Sequence, residues 1–450
     1  MSPEPTDRGA ASATPASSAA PASGAAPASS AAPAPSGHPV ARTGPSIHPE
    51  RTLWLLSIAH AVNHAQAVIL PLIYIRIISE FGINESQVAV LTAVGAFASG
   101  IVQLGYAKLT RLVSRRMLLA GGGVLFGTGF AAMGLTQSFG PFAAVNVGSR
   151  VGGSPQHPVG NGLLAEQFPE DRRGFAISAH ISGGNVGTVI VALVGAGLIA
   201  AVGWRWVAVI FGVPAVIVAL AILLLVRESG VDREAARAHG SVADAFRAVL
   251  RDRDHRWIYL ASVLGGGGRG LGVVNLFALL YLTSVLHLPA SVTDPMYGVL
   301  IALSVPMPLV AGWLSDRVGR RPVIAGVYIG GAMAFAVFLL VGSSLAGLWI
   351  AIILMGLFTF AESPQLQALL ADVARPEIRD ASFALYFTLA FGFGSTWTFL
   401  YGLLIDPAAL GVERGLPWIF VLMGAAFVVA ALSVIPIREP ATRTPANAAD

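Results

Sequence analysis

Residues 206–226 read WVAVIFGVPAVIVALAILLLV, an apolar run without a charged side chain that lies between Arg205 and Arg227. A helix of this length crosses the roughly 30 Å hydrocarbon core of a bilayer. Lipid offers no partner to a peptide group, so spanning segments are helices or closed barrels. The run is continuous rather than alternating, and it therefore predicts a transmembrane helix.

Similar runs occupy most of the chain. Spans are predicted at 53–78, 87–107, 117–136, 140–165, 174–201, 205–226, 257–286, 294–314, 322–342, 346–370, 381–405 and 416–437. The composition agrees, since 55% of the residues are hydrophobic and only 12% are charged, about half the charged share of a soluble domain. We predict an all-α membrane protein with twelve transmembrane helices in two pseudo-symmetric six-helix bundles.

Polar segments divide these spans. Residues 1–50 are rich in Ala, Pro and Ser and are predicted to form a disordered cytoplasmic tail. A charged, part-helical linker at 227–256 separates a first bundle at 51–226 from a second at 257–437, and 438–450 forms a second cytoplasmic tail. Two equal halves joined by one long loop are typical of transporters built from repeated bundles.

The basic residues indicate the orientation. With the amino terminus inside, the cytoplasmic loops carry 18 Lys and Arg residues, whereas the opposite loops carry only Arg76, Arg205 and Arg414. The positive-inside rule then places both termini in the cytoplasm. We predict that the protein is a multi-pass protein of the inner (cytoplasmic) membrane. The net charge of +4 follows this sidedness, so we predict a lipid bilayer and no nucleic acid as partner. The chain has no cysteine, which excludes thiolate metal sites.

A loop motif lies between spans eight and nine. It reads Gly312-Trp-Leu-Ser-Asp316-Arg317-Val-Gly319-Arg320-Arg321-Pro322. The motif resembles the loop signature of the major facilitator superfamily, whose members are transporters. Gly319 can supply a turn, and Asp316 can meet a helix N-terminus or an arginine of a neighbouring helix. We predict that this charge cluster latches one conformation.

The equivalent loop of the first half, residues 107–116, is less complete. It keeps the closing pair Arg115 and Arg116, but Arg111 stands where the aspartate is expected, and Ala107 and Ser114 replace the glycines. A latch is therefore not expected in this half.

Three motifs of the first half carry a narrower resemblance. They are His60-Ala-Val-Asn63-His64, Gly152-Gly-Ser-Pro-Gln-His157-Pro158 and Gly183-Gly-Asn185-Val-Gly187. Together they resemble the fosmidomycin-resistance type of permease, which implies drug efflux. The pattern of that type has an aspartate where this chain has His64.

Glu362 is the only carboxylate well inside a predicted span. An ionisable group at mid-bilayer costs at least ~2.5–3.5 kcal/mol, so it is a candidate for function. Burial favours the protonated carboxyl and a nearby arginine favours the carboxylate. We predict that Glu362 carries a proton, with a fixed salt bridge as the alternative, and that Pro364 breaks or kinks this span.

His60 and His64 are four residues apart and share one helix face. They can carry protons, contact substrate, chelate a metal ion or simply pack. Because neither an acid nor a cysteine accompanies them in the same span, we predict no metal site and assign both to proton coupling.

Arg150 and Arg269, one in each half, can together clamp an anionic ligand. Arginine stays charged inside a protein, so two arginines against one buried acid favour an anionic substrate. Other residues predicted to contact substrate are Asn63, Gln66, His157, Asn161, Asn185, Asn275 and Trp397. Interhelical hydrogen bonds are the alternative role for each.

These features predict a monomeric, proton-coupled secondary transporter without a cofactor, which moves a small organic solute by alternating access. The resemblance implies drug efflux, while the arginines indicate an organic anion that is exported or imported. A ligand sensor or a membrane-embedded metal enzyme is the alternative from another class. We predict no enzyme, because His60, His64, His157 and His180 are distributed over three spans.

Overall fold

The computed structural model describes residues 46–83, 85–406 and 408–439, and these residues form helices and short connections without a strand. Residues 1–45 of the predicted tail at 1–50, and residues 440–450 of the predicted tail at 438–450, lie outside the described residues. The first helix already begins at Pro49, inside the segment for which we predicted disorder.

Six of the predicted spans are single helices. They are Pro49–Phe81 (span 1), Glu85–Leu112 (span 2), Arg115–Met133 (span 3), Arg320–Leu340 (span 9), Arg379–Leu404 (span 11) and Gly411–Val434 (span 12). Spans 5 and 6 both lie in the segment Glu170–Leu225. As one straight helix these 56 residues would measure about 84 Å, far more than a bilayer. The segment breaks at Gly203, whose φ of 77° and ψ of 157° suit glycine alone.

The other four spans are interrupted. Span 4 comprises Phe139–Gly153 and Pro158–Gln167, span 7 runs from Arg253–Gly265 to Tyr281–Val285, span 8 comprises Ala290–Ala302 and Pro306–Val318, and span 10 comprises Leu345–Phe358 and Glu362–Val373. Two short helices, Val231–Ala238 and Val242–Arg251, lie in the linker between the halves.

By length and hydropathy, eight helices of the described residues can each cross a bilayer, and the two bent parts of span 7 together form a ninth crossing. The break at Gly203 divides one of the eight into two spans. Spans 4 and 11, which fall outside this criterion, bring the number to twelve. The fold is therefore the predicted one, twelve helices in two six-helix bundles.

Glycines let span 5 lie directly against span 1. A Cβ added to Gly187 would lie 1.9 Å from the carbonyl oxygen of Ala61, and one added to Gly183 would lie 2.8 Å from Cβ of Ser57. Such close approach is how small residues pack helices in membranes. This contact fixes the position of His60, on the facing side of span 1.

Gly187→Val should therefore destabilise the protein, because its side chain has no space beside a backbone carbonyl. Overpacking typically costs about 1–3 kcal/mol, and we expect a lower melting temperature of the detergent-solubilised protein. Gly197→Val is the matched control, since an added Cβ there meets nothing within 4 Å. Equal melting temperatures for the two variants would contradict this packing.

Candidate functional site

A cavity of about 170 Å³ lies between the two halves. Spans 1, 4 and 5 form one side of this central cavity, and spans 7, 10 and 11 form the other. Six of the residues predicted to be functional line it: His60, His64, His157, Asn185, Arg269 and Glu362.

Glu362 and Arg269 form an ion pair in this cavity, with 2.6 Å between Oε1 and Nε. The hydroxyl of Tyr328 donates to the other carboxylate oxygen at 3.2 Å. Glu362 is 1% exposed, whereas the side chain of Arg269 is 21% exposed. The carboxylate is thus the deeply buried member of the pair.

Two broken helices bring these side chains together. Glu362 is the first residue of the second part of span 10, and Pro364 lies in its first turn, where a missing N–H costs nothing. The prediction of a break near Pro364 is therefore correct. In span 7 the backbone is extended at Arg269, and the N–H of Gly270 donates to the carbonyl of Thr359 at 2.9 Å. Each break thus satisfies a backbone group left free by the other.

Four histidines form a cluster on the other side of the central cavity. The ring centre of His60 lies 4.5 Å from that of His64, 4.7 Å from that of His157 and 4.5 Å from that of His180. In the sequence these residues are distributed over three spans, from which we predicted that they do not form a common site. Spans 1, 4 and 5 converge, however, so that argument against a common histidine site is wrong.

A second cavity, of about 300 Å³, lies within the first half and is called the first-half cavity below. Its polar lining residues are Asn63, His64, Gln66, Ser99, Gln103, Asn146, Ser149, Arg150, Ser154 and His157. Since His64 and His157 line both cavities, the two adjoin.

Arg150 forms no ion pair with any described residue, and its Nε is buried without a hydrogen-bond partner there. The amide oxygens Oε1 of Gln66 and Gln103 are likewise buried and unpartnered within the described ranges. The first-half cavity thus offers one cationic donor and two acceptors.

The structure does not bring Arg150 and Arg269 into one cavity, as the predicted clamp requires. The two arginines line different cavities, and Glu362 neutralises Arg269. Of the two arginines, only Arg150 therefore carries a positive charge that no described acid balances.

Four of the remaining predicted substrate contacts form hydrogen bonds within the protein. Asn161 donates to Oε1 of Gln367 at 2.5 Å, and Asn185 donates to the carbonyl of Ser304 at 2.7 Å, so both bonds join the halves. Asn275 lies 3.4 Å from the hydroxyl of Tyr297. The indole of Trp397 donates to a carbonyl of span 7. Asn161, Asn275 and Trp397 line neither cavity.

The loop motif joins the halves at one end of the molecule, called the motif end. Asp316 accepts hydrogen bonds from the backbone N–H groups of Gly174, at 3.0 Å, and Phe175, at 2.8 Å, in span 5. Arg320 pairs with Asp316 and, at 2.9 Å, with Asp372.

The other motif residues have local roles. A Cβ on Gly312 would lie 2.6 Å from the hydroxyl of Ser178, and Gly319 has a φ of 100°. Arg317 lies over the ring of Trp313, and Arg321 donates to the carbonyl of Ile435.

Arg115 forms a second ion cluster at the motif end, which sequence analysis did not expect. It pairs with Glu166, with Asp232 at 3.0 Å and with Asp380 at 2.8 Å. These acids come from span 4, from the linker and from the start of span 11. The missing aspartate of this loop is therefore replaced by acids from elsewhere, and the retained arginine pair was the available signal.

Gln367 and Gln103 were not predicted from the sequence. The first has a signal, because Gln367 follows Pro364 by three residues, as Asn161 follows Pro158. The two equivalent positions hydrogen-bond to each other. Gln103 stands in an otherwise apolar segment of span 2 and has no motif around it.

Comparison with known sequences gives a consistent result. The family model described as Major Facilitator Superfamily matches residues 56–398. The Probable L-galactonate transporter of Escherichia coli (strain K12) is 25% identical over 324 residues, which cover 68% of this chain and 71% of that protein. These matches support the superfamily but do not distinguish a fosmidomycin-resistance-type permease within it.

Solved structures with this fold include the E. coli fucose:proton symporter, with a TM-score of 0.71 and 15% identity over 87% of this chain and 98% of that chain. The human organic anion transporter TETRAN has a TM-score of 0.66 and 14% identity over 86% of this chain and 100% of that chain. At these identities the similarity shows the fold alone.

We predict that the two single variants of the Glu362–Arg269 pair lose different amounts of stability. Arg269→Gln leaves a carboxylate buried without its partner and should cost about 3–5 kcal/mol. Glu362→Gln leaves an arginine that still reaches water, and we expect a smaller loss. The double variant should recover part of the loss. A double-mutant cycle on melting temperatures tests the pair, and strictly additive losses would contradict it.

Proposed function

The chain belongs to the major facilitator superfamily and is a transporter, and from this premise we propose that it moves a hydroxylated carboxylate, such as a sugar acid, together with a proton. The observation that carries the substrate class is Arg150, a cation without an acidic partner among the described residues, in a polar cavity.

The chemistry of the first-half cavity supports this class. A guanidinium binds a carboxylate through two parallel hydrogen bonds. The amide oxygens of Gln66 and Gln103 can accept hydrogen bonds from ligand hydroxyl groups. A buried polar group without a partner costs about 1–3 kcal/mol, so a ligand that satisfies these atoms gains that energy. A cationic drug would be repelled by Arg150.

The similar protein described as Probable L-galactonate transporter adds independent support, since a galactonate is a carboxylate with a chain of hydroxyl groups. An anionic drug moved outward is the second candidate. It can use the same arginine, and the motifs around Asn63, His157 and Asn185 favour it, but it has no need of the two amide acceptors.

Glu362 is the proposed coupling acid. Both members of its ion pair belong to the second half, so rocking of one half against the other does not separate them. The extended segment at Arg269, followed by Gly272 with a φ of 91°, is the part of span 7 that can move. When Arg269 withdraws, a buried carboxylate alone is too costly as an anion, and Glu362 takes up a proton. The return of Arg269 releases it.

Arg150→Ala should weaken binding of L-galactonate by the purified protein about tenfold or more, because a hydrogen bond to a charged group is worth about 1.5–3 kcal/mol. Isothermal titration calorimetry measures this loss. Galactitol, which lacks the carboxylate, provides the matched ligand, and its binding should not depend on Arg150. Arg76→Ala, at an exposed arginine, is the control variant. Unchanged affinity for galactonate in Arg150→Ala would refute the substrate class.

Glu362→Gln should separate exchange from proton-driven accumulation, since glutamine mimics the protonated acid and cannot release a proton. In proteoliposomes we expect counterflow of labelled substrate to continue, while a pH gradient no longer drives accumulation. The exposed Glu413 provides the control Glu413→Gln. If Glu362→Gln accumulates substrate at the full proton-driven level, another group couples transport.

A further inference from the structure

We propose that His60, His64 and His157 bind a divalent transition-metal ion of the Zn²⁺ class at the wall of the central cavity. One ring nitrogen from each histidine lies within 4.8 Å of those of the other two. Imidazole suits zinc, copper, nickel and iron, and three histidines with an open fourth position are an established zinc ligand set. This site goes beyond the proposed function and does not depend on the substrate class.

Two of the rings are already oriented for an ion. Nδ1 of His60 lies 2.9 Å from the carbonyl oxygen of His180, and a carbonyl only accepts, so Nδ1 carries the proton and Nε2 the lone pair. That Nε2 is fully buried and has no hydrogen-bond partner in the described part of the chain. Nδ1 of His64 lies 3.3 Å from the hydroxyl of Thr188. Metal-binding histidines are typically held in this way, through the nitrogen that does not bind the ion.

The backbone allows the site to close around an ion. With metal–nitrogen distances of 2.0–2.1 Å, tetrahedral ligands lie about 3.3 Å apart, so nitrogens that are now within 4.8 Å of one another must approach by up to about 1.5 Å. His60 and His64 lie on consecutive turns of span 1. His157 lies at the interruption of span 4, between the short 3-10 turn Ser154–Gln156 and the helix Pro158–Gln167.

Charge also favours a metal site over a cluster of protonated histidines. Two imidazolium ions with ring centres 4.5 Å apart would repel each other strongly away from water, whereas metal ions bind neutral imidazole. Glu362 is the only acid among the described residues that line the central cavity, and Arg269 already pairs with it. No acid of the described cavity lining is therefore available to stabilise a charged histidine cluster.

The position of the site is compatible with transport. Spans 1 and 4 belong to the same half, so an ion bound by them does not tie the two halves together. His64 and His157 line both the central and the first-half cavity, so the site adjoins internal space on two sides.

The test is Co²⁺ titration of the full chain, purified without a histidine tag and stripped with a chelator. Tetrahedral Co²⁺ absorbs in the visible range, and we expect these bands to saturate at one ion per chain and to disappear when Zn²⁺ is added. His64→Ala and His157→Ala should each weaken Co²⁺ binding at least tenfold. His239→Ala, in the linker, is the control and should leave the titration unchanged.

Thr188→Val is a second test with less risk of misfolding, because this variant keeps all three histidines and removes only the hydroxyl near His64. Loss of such a supporting contact typically costs about 10–100-fold in metal affinity, and we expect a reduction near the lower end. Absence of saturable Co²⁺ bands in the parent protein would overturn the proposal. So would equal affinity in the parent, His64→Ala and His157→Ala, with melting curves confirming that each variant is folded.

Discussion

Lipid supplies no hydrogen bonds, so a helix inside the membrane can break only where another part of the protein satisfies the freed backbone groups. Spans 7 and 10 meet this constraint for each other, since the N–H of Gly270 donates to the carbonyl of Thr359. The same contact places Arg269 beside Glu362. The geometry of the two breaks thus pairs a carboxylate and a guanidinium, each of which would be costly to bury alone.

The two halves share this design but not its chemistry. Pro158 and Pro364 both follow an interruption, of span 4 and span 10, and Asn161 and Gln367 stand three residues beyond them and bond to each other across the halves. At the interruption itself the first half carries His157, whereas the second carries Glu362. The repeat has therefore kept its backbone breaks and its contact between the halves, while the ionisable groups at the breaks have diverged.

What the sequence could predict follows from the range of the interactions. The break near Glu362 was predictable because Pro364 acts on its own turn. The spans were predictable because hydrophobic length is a local property. The partner of Arg269 and the convergence of His60, His157 and His180 depend on how separate spans cross, which no local pattern encodes. For the same reason the acids around Arg115 were missed, since each comes from a different segment.

The proposed function assigns substrate recognition and proton coupling to different halves. The unpartnered cation, Arg150, and its polar neighbours lie within the first half, whereas the carboxylate proposed to carry the proton lies in the second. A proton can drive substrate movement only if the two regions influence each other. The two regions adjoin at His64 and His157, which line both the first-half cavity and the central cavity. A ligand between these histidines and the Glu362–Arg269 pair would therefore contact both the proposed substrate region and the proposed proton-carrying group.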